Sequence, residues 1–579
     1  MQEGGGPQTG RLVGWLSAAG APETIGARIE QTLGEVAADQ VAEDPWCVLE
    51  VPGVAPQAAD ALARVVLGRT QPDDPRRTRA LIGWLLRRAA ARGSTVQGAD
   101  VIADALNKAD VADATGAVAD AIEHGTALAF AEPVSLSAEA DEDEMEEFER
   151  LDALDDDDPA AMLTSGRTLL ALERWAFAEQ SAAEAAQRLA ATPEAVDAKE
   201  GASLGDALTA AAAENGLTLV TGASATELAA LATAFPNALL ASPAPGGVRT
   251  LTAAGTDVCD ARVLVTDPQR IAAADVVILA DAQLIDIELG AALLEAVHDG
   301  AHVVMAGDPA TCAPAGPGLL FRDLLEVDGP EFGGKLPRVE LKRRPTGPLS
   351  ALADSVRHGG LPPQELLQGT DERSVREVVI VPVRESGEAV HRAVQLVADS
   401  IPRAIGVSGG QVQVVAPSAE GAAGTFALNS ALKQRLNPGQ GVCRGFDEGD
   451  RVIVGTPLAA HGLLRGETGT VSRAEASGLT VVFDPPLGEV ELEPHEAESL
   501  RHAWALTVAE AQGGRWPAVV AAFDAESAPT LTRATVLGAI TLATSHLSVV
   551  HGAGRALAEA VENMPDRERR TRLRHALKD

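Results

Sequence analysis

The hydrophobic and polar positions of this chain follow two periods, and the change between them divides the sequence. Before about residue 135, apolar residues recur at helical spacing, as in RTRALIGWLLRRAAARG, which predicts amphipathic helices. After about residue 160, short apolar runs such as LTLVTG, DVVILAD and GAHVVMAGDP alternate with helical stretches. This alternation predicts an α/β fold with parallel sheets covered by helices, and the runs suffice for two lobes.

A third pattern interrupts the second lobe. From about residue 447 to 503 the sequence alternates strand and turn signals, as in GDRVIVGTP and LTVVFDPPLGEVELE, which predicts a small inserted β-barrel. We therefore expect a helical region over residues 1–135, a first lobe over 161–345, and a second lobe over 346–579 that carries the insertion.

A strongly acidic segment separates the helical region from the first lobe. Twelve of the 18 positions from 141 to 158 are Asp or Glu. Like charges at this density repel one another and favour an extended chain. We expect residues 136–160 to be a linker, with an acidic docking tail as the alternative.

Composition limits the classes of function. The 579 residues include 47 Lys and Arg against 83 Asp and Glu, a net charge of -36. This argues against a protein that coats nucleic acid non-specifically, although a local basic patch is compatible with it. The four cysteines lie far apart, which disfavours structural zinc and a disulfide framework. With no signal-like N-terminus or long apolar run, we expect a soluble cytoplasmic protein that contacts no membrane.

The order of motifs resembles that of the long RecD-type DNA helicases of superfamily 1, which carry an N-terminal helix-hairpin-helix region. The segments DPWCVLEVPGVAPQAADALARVVLG, TLVTGASATELAALA, VVILADAQLIDIELG, HVVMAGDPATC and LTRATVLGAITLATSHLSVVHG carry the resemblance, which covers nearly the whole chain. It implies two RecA-like lobes of the P-loop NTPase type, with an SH3-like β-barrel inserted in the second lobe. In active relatives, ATP and Mg²⁺ act in the cleft between the lobes and drive motion along single-stranded DNA.

The phosphate-loop position has lost the groups that bind phosphate. A phosphate loop reads GxxxxGK[ST], in which Lys contacts the phosphates and Ser or Thr holds Mg²⁺. Here Gly222 is followed after four residues by Glu227, Leu228 and Ala229. The carboxylate of Glu227 should repel a triphosphate.

Other positions that the resemblance assigns to catalysis have also changed. Ala280 stands where relatives place the metal-binding Asp, and Asp281 replaces the longer Glu beside it. Thr311 replaces a Gln, and Leu542 replaces the arginine finger. We predict no catalytic residues, no bound cofactor and no metal site. Remnants of the nucleotide-binding set are Gly222, Asp308, Arg344, Gln512 and Gly513. For Asp308 a simple turn is the alternative, and for Arg344 a surface position.

The helix-hairpin-helix segment offers a candidate DNA site. Such a hairpin holds a phosphate on the backbone of a G-h-G turn, and in Val51–Ala55 the first glycine, Gly53, is present while Ala55 replaces the second. Nearby arginines that could supply counter-charge are Arg64, Arg69, Arg76, Arg77 and Arg79. The alternative is a helical packing module that has lost its ligand.

These observations lead to three hypotheses. The first is a catalytically inactive RecD-like helicase homologue that binds nucleic acid or protein as a scaffold in DNA metabolism. The second is an active ATP-dependent DNA helicase with an atypical nucleotide site, and the third is a regulatory subunit of a helicase or repair complex. The expected partners are single-stranded or forked DNA, bound with low affinity, or a protein of DNA repair or recombination.

Overall fold

A computed structural model describes most of the chain. The described residues are 7–21, 23–34, 36–131, 168–191, 207–214, 216–329, 334–342, 344–362 and 377–578. The predicted linker over residues 136–160 lies outside them. The chain forms two compact units: residues 1–181 with 316–318 and 569–579, and residues 182–315 with 319–568.

The N-terminal unit is mainly helical, as the 3.6-residue pattern predicts. Its helices are α1 (Pro7–Ala18), α2 (Glu23–Leu33), α3 (Ala37–Glu43), α4 (Pro56–Leu67), α5 (Pro75–Ala90), α6 (Ala99–Asn107), α7 (Ala114–Glu123) and the first part of α8 (Glu173–Ala191). Asp74 caps α5 by accepting a hydrogen bond from the Arg76 amide, and Pro75 starts the helix. The core of this unit includes Trp46, Leu49, Leu62 and Ile82.

The N-terminal unit also contains a strand that we expected in the first lobe. Strand β3 (Thr168–Ala171) lies between β1 (Val96–Gly98) and β2 (Leu128–Ala131) and pairs with both in antiparallel fashion. All four of its residues are buried. A buried central strand needs partners on both edges for its backbone hydrogen bonds. The first lobe therefore does not begin at residue 161 as expected.

The last residues of the chain depart from the expected division in the same way. Residues 569–579 were predicted within the second lobe but belong to the N-terminal unit. The Thr95 amide donates a hydrogen bond to the Arg570 carbonyl (2.9 Å), and the Arg572 amide donates to Glu179 Oε1 (3.0 Å). Leu573 at the start of helix α22 (Leu573–Ala576) is buried. These backbone contacts attach the segment to the unit.

The second unit begins with lobe 1, a six-stranded parallel sheet in the order β11-β4-β8-β7-β5-β6. Its strands are β4 (Leu217–Thr221), β5 (Ala238–Ser242), β6 (Cys259–Asp260), β7 (Val276–Leu279), β8 (His302–Gly307) and β11 (Arg338–Glu340). Its helices are α9 (Ala207–Glu214), α10 (Ala225–Ala234), α11 (Pro245–Ala253), α12 (Ala261–Leu264), α13 (Pro268–Ala272), α14 (Ile287–Ala296) and α15 (Leu320–Glu326). The short strands β9 (Asp328–Gly329) and β10 (Gly334–Lys335) pair with each other.

Lobe 2 is a five-stranded parallel sheet in the order β12-β21-β20-β13-β19. Its strands are β12 (Val378–Pro382), β13 (Val412–Ala416), β19 (Ala505–Thr507), β20 (Trp516–Phe523) and β21 (Ala543–His551). Its helices are α16 (Pro348–Arg357), α17 (Ser386–Gln395), α18 (Ile401–Ile405), α19 (Thr425–Leu436), α20 (Arg533–Thr541) and α21 (Arg555–Asn563). The prediction of an α/β fold with parallel sheets is confirmed.

The insertion in lobe 2 is a five-stranded antiparallel sheet in the order β17-β16-β15-β14-β18. Its strands are β14 (Arg451–Val454), β15 (Thr468–Glu475), β16 (Gly478–Phe483), β17 (Gly488–Leu492) and β18 (Leu500–His502). Alternate residues such as Val471 and Val481 point into its own apolar core. Closure of this sheet into an SH3-like barrel stays a prediction.

The described helices include none that is both long and apolar enough to cross a bilayer. In each parallel sheet the strands end at a common edge, and the loops that follow them are brought together there.

Candidate functional site

A cavity of about 1030 Å³ lies where the loops of lobe 1 face lobe 2. The loops that follow β4, β7 and β8 form the wall on the lobe 1 side. From lobe 2 come the end of α16 and the segment from Gln512 to Arg515. The predicted site residues that line the cavity are Gly222, Leu228, Ala280, Asp281, Asp308, Thr311, Arg344, Gln512 and Gly513. We call this cavity the cleft.

The loop after β4 requires a glycine at its start and has a capping box at its end. Gly222 has φ +79°, and a Cβ there would collide with the Leu341 carbonyl, so the position requires glycine. Ser224 caps α10: its amide and hydroxyl both donate to Glu227 Oε2, at 2.8 and 2.7 Å. The Glu227 amide donates in return to Ser224 Oγ (3.3 Å). This capping box already places a negative charge at the helix N-terminus.

Leu228 and Ala229, which the motif order assigns to the phosphate-loop Lys and Ser or Thr, are apolar and buried. Leu228 packs with Val220, Leu231 and Phe235 in the core of lobe 1, and its side chain is only 5% exposed. Ala229 is also buried. Neither side chain can donate to a phosphate or bind a metal.

Asp281 occupies a constrained position at the end of β7. Its φ of 50° lies in the left-handed region, which is rare for residues other than glycine. Ser242 Oγ donates to its Oδ2 (2.7 Å). Burial raises the pKa of the Asp281 carboxyl above its usual range, while the hydrogen bond from Ser242 acts in the opposite direction. Ala280 before it is buried and supplies no ligand oxygen from its side chain.

Asp308 is engaged by an arginine that sequence reasoning did not find. Arg357 donates from both terminal nitrogens to the two carboxylate oxygens of Asp308, at 2.5 and 2.6 Å. This bidentate pair raises the pKa of the Arg357 guanidinium. Thr311 lies in the same turn and donates its hydroxyl to the Asp308 carbonyl (2.9 Å). No motif surrounds Arg357 in the sequence, so only the fold reveals it.

Of the remaining predicted residues, Arg344 and Gln512 face the cleft and Leu542 does not. Gln512 donates its side-chain amide to the Val508 carbonyl (2.9 Å), and Arg344 is exposed on the cleft wall. Leu542, predicted at the arginine-finger position, is not among the residues that line the cleft. It is fully buried with Leu537 and Leu547 in the core of lobe 2, because an apolar side chain at the end of α20 gains more from packing than from the cleft.

The hairpin of the helix-hairpin-helix segment has a glycine turn in the left-handed backbone region. Gly53 has φ +83°, and a Cβ there would lie 2.9 Å from a terminal nitrogen of Arg28. The exposed Arg28 guanidinium therefore lies against the turn. Sequence reasoning missed Arg28 because it comes from α2, away from the motif.

Most of the arginines predicted to bind phosphate already have acidic partners. Arg77 is 8% exposed and donates to both Asp60 oxygens, at 2.8 and 2.9 Å. Arg76 contacts Asp74 (2.8 Å), and Arg79 contacts Asp120 (2.9 Å). Arg77 is therefore occupied by Asp60, and a role of these arginines in DNA binding stays a prediction. Arg64 and Arg69 are exposed.

The chemistry of the cleft does not fit a magnesium–triphosphate complex. Such a complex needs a cation and a hydroxyl at the phosphate loop and a carboxylate from the next strand. The chain supplies Leu228, Ala229 and Ala280 there. Within the described ranges, no three or more His, Cys, Asp or Glu side chains are grouped to hold a metal ion.

Two comparisons with known sequences agree with each other. Residues 8–96 match the family model described as the ATP-dependent RecD2 DNA helicase HHH domain. The chain is also 29% identical over 305 residues to the ATP-dependent RecD2 DNA helicase of Deinococcus radiodurans. The chain is similar to RecD-type DNA helicases. The resemblance predicted from the motif order is confirmed at this level.

The similarity is partial in length and in structure. The match to the Deinococcus protein covers 51% of this chain and 38% of that relative. One similar structure is a Pif1 helicase from work on the unwinding of forked duplex DNA by two coordinating Pif1 helicases. Its TM-score is 0.34 at 13% identity, and the match covers 59% of this chain and 89% of that one. The Pif1 helicase of Candida albicans has a TM-score of 0.32 at 13% identity, and the match covers 59% of this chain and 92% of that one.

Proposed function

We propose that this chain is a RecD-like helicase homologue that does not hydrolyse ATP and acts as a nucleic-acid-binding or protein-binding scaffold in DNA metabolism. The observation that carries the proposal is the Glu227 carboxylate, which accepts hydrogen bonds from the Ser224 amide and hydroxyl at the N-terminus of α10. A phosphate at that place would meet a like charge and would have to displace these bonds.

The other altered positions support the same conclusion. Loss of one charge-stabilising group from a catalytic site lowers a rate by about 10²- to 10³-fold. In this cleft the positions of Lys, Ser or Thr and the metal-binding Asp carry Leu228, Ala229 and Ala280. The arginine-finger position carries Leu542, which lies in the core of lobe 2. Several losses of this size leave too little stabilisation for turnover.

The test is an ATPase assay and a thermal-shift measurement on the full chain with Mg-ATP. We expect no turnover above background and no change in the melting temperature. Turnover that disappears in Asp281→Asn or Asp308→Asn, but persists in the control Asp257→Asn, would overturn the proposal. Asp257 suits this control because it is a 94% exposed acid of the same lobe.

The kind of partner is tested separately. A tagged pull-down from the native extract, run with and without nuclease, distinguishes a nucleic-acid-bound scaffold from a protein subunit. Partners that are lost with nuclease favour the first, for which the Gly53 turn and the adjacent Arg28 are the candidate phosphate contacts. Partners that persist favour the second.

A further inference from the structure

The two lobes of the second unit are joined directly across the cleft by an ion pair. Asp308 follows β8 of lobe 1, and Arg357 ends α16 of lobe 2. Their two hydrogen bonds, at 2.5 and 2.6 Å, are parallel and bidentate. Such a pair fixes the relative orientation of its two planar groups as well as their separation. It therefore restrains rotation and opening of the lobes.

A second contact joins the backbones of the lobes at close range. Gly246 and Gly247 at the start of α11 lie against Gly513 and Gly514 of lobe 2. A Cβ on Gly246 would lie 2.5 Å from the Gly514 nitrogen, and a Cβ on Gly513 would lie 2.7 Å from the Gly247 nitrogen. Only glycines permit this approach. Thr250 shares its hydroxyl between the carbonyls of Gly246 and Gly513, at 2.7 and 2.9 Å.

A third contact connects lobe 1 to the antiparallel sheet inserted in lobe 2. Arg249 donates to Asp484 Oδ2 (2.6 Å) and to the Thr468 hydroxyl (3.0 Å). Its guanidinium also lies 5.0 Å from the ring centre of Trp516 on β20, within the range of a cation–π contact. One residue of α11 thus contacts both the insertion and the parallel sheet of lobe 2.

We propose that these three contacts form an interlobe clamp that holds the cleft in one arrangement without any nucleotide. All three contacts must break together for the lobes to separate, since each fixes a different part of the same boundary. The chain's own contacts then hold the two lobes in this arrangement. The clamp rests on lobe-to-lobe geometry and stands whether or not ATP is hydrolysed.

The test is hydrogen–deuterium exchange of the full chain without nucleotide, followed in peptides over residues 245–253 and 511–515. In Arg357→Gln we expect exchange in both segments to be about fivefold faster, the effect of weakening a partly exposed charged contact. Gly246→Ala should act in the same direction by forcing the backbones apart, without removing a charge. The charge swap Asp308→Arg with Arg357→Asp should restore protection.

The control and the contrary outcomes are specific. Arg392→Gln removes an exposed arginine that pairs with Glu388 within α17 of lobe 2, so exchange at the cleft should stay at the wild-type rate. Wild-type exchange in both Arg357→Gln and Gly246→Ala would overturn the clamp. Repeating the wild-type measurement with Mg-ATP separates the two proposals. A change in the exchange rate on adding Mg-ATP would count against the proposal that the site is inactive. The clamp is judged only from the exchange rates of the variants without nucleotide.

Discussion

At the scale of one residue, Leu228 occupies a position that the family resemblance assigns to catalysis and that the fold places in an apolar core. It lines the cleft at the position that the motif order assigns to the phosphate-loop Lys, and its side chain packs with Val220 and Phe235 in the core of lobe 1. A residue in such a position contributes to stability through burial of apolar surface. Replacing Leu228 with Lys therefore removes apolar packing and adds a positive charge that contacts no phosphate.

We expect Leu228→Lys to destabilise the protein without creating an ATPase. The ammonium loses hydration and the core loses a branched side chain, a combined cost of about 2–3 kcal/mol. Urea denaturation measures the cost, and Thr233→Lys on the exposed side of the same helix is the matched control. Restored turnover with unchanged stability would contradict this account.

Glu467 is a second residue whose surroundings have a measurable consequence. It is 7% exposed just before β15, and the Leu464 amide donates to its Oε2 (2.8 Å). Burial raises the pKa of its carboxyl to about 7. The folded state binds this proton more tightly than the unfolded state. The contribution of Glu467 to stability is therefore fully present below the pKa of the unfolded chain and is lost as the pH rises through about 7, the pKa in the folded state.

We predict that Glu467→Gln stabilises the protein at high pH. Since Gln imitates the protonated carboxyl, the variant should gain about 3 kcal/mol over the wild type near pH 8 and much less near pH 5. Chemical denaturation at the two pH values measures the difference, with the exposed Glu475→Gln as control. An equal gain at both pH values would assign the effect to packing instead.

At the scale of an element, the arginines near the hairpin between residue 51 and α4 are of two kinds, exposed and buried. Arg28 lies exposed against Gly53, whereas Arg77 is buried and pairs with Asp60 on both of its oxygens. Only an exposed guanidinium can exchange its solvent for a phosphate. The two residues should therefore respond differently to substitution.

We predict that Arg28→Ala weakens binding of single-stranded DNA and flattens its salt dependence by about 0.7 units of slope, the value for one lost phosphate contact on a single strand. Arg77→Ala should instead lower stability by about 1–3 kcal/mol, since it leaves the partly exposed Asp60 without its main partner. Fluorescence anisotropy over a salt series and thermal unfolding distinguish the two effects. A flattened slope in Arg77→Ala alone would move the site away from Arg28.

The periodic elements were predictable because their signals are local. Apolar runs such as LTLVTG gave the parallel strands, and helical spacing gave the N-terminal helices. The placement of β3 and of residues 569–579 could not be predicted, because both depend on partners that are distant in sequence. The contacts are Leu169 with the backbone of Gly98 and Phe130, and Arg570 with Thr95. No local pattern encodes such pairings.

At the scale of the whole molecule, the net charge of -36 is the dominant electrostatic feature. Self-repulsion at this charge opposes compactness and is reduced by salt. We expect the melting temperature at about pH 8 to rise by about 2–4 °C between about 0.05 M and 0.5 M NaCl.

The control for this prediction uses the isoelectric point of about 4.6. Near pH 4.6 the net charge is close to zero, so the same salt series should change the melting temperature little. A salt effect of equal size at both pH values would mean that screening of the net charge is not its cause.

The sequence by itself determined the class of the fold, the order of the motifs and the residue types at the positions that the motif order assigns to phosphate binding, since these depend on residue type and spacing. Tertiary structure decided which side chains meet. It buried Leu542 away from the cleft, paired Arg77 with Asp60, and brought Arg357 to Asp308. The physical reason is that charge pairing and packing depend on distance in space, and residues 49 positions apart in the last pair become neighbours only when both lobes have formed.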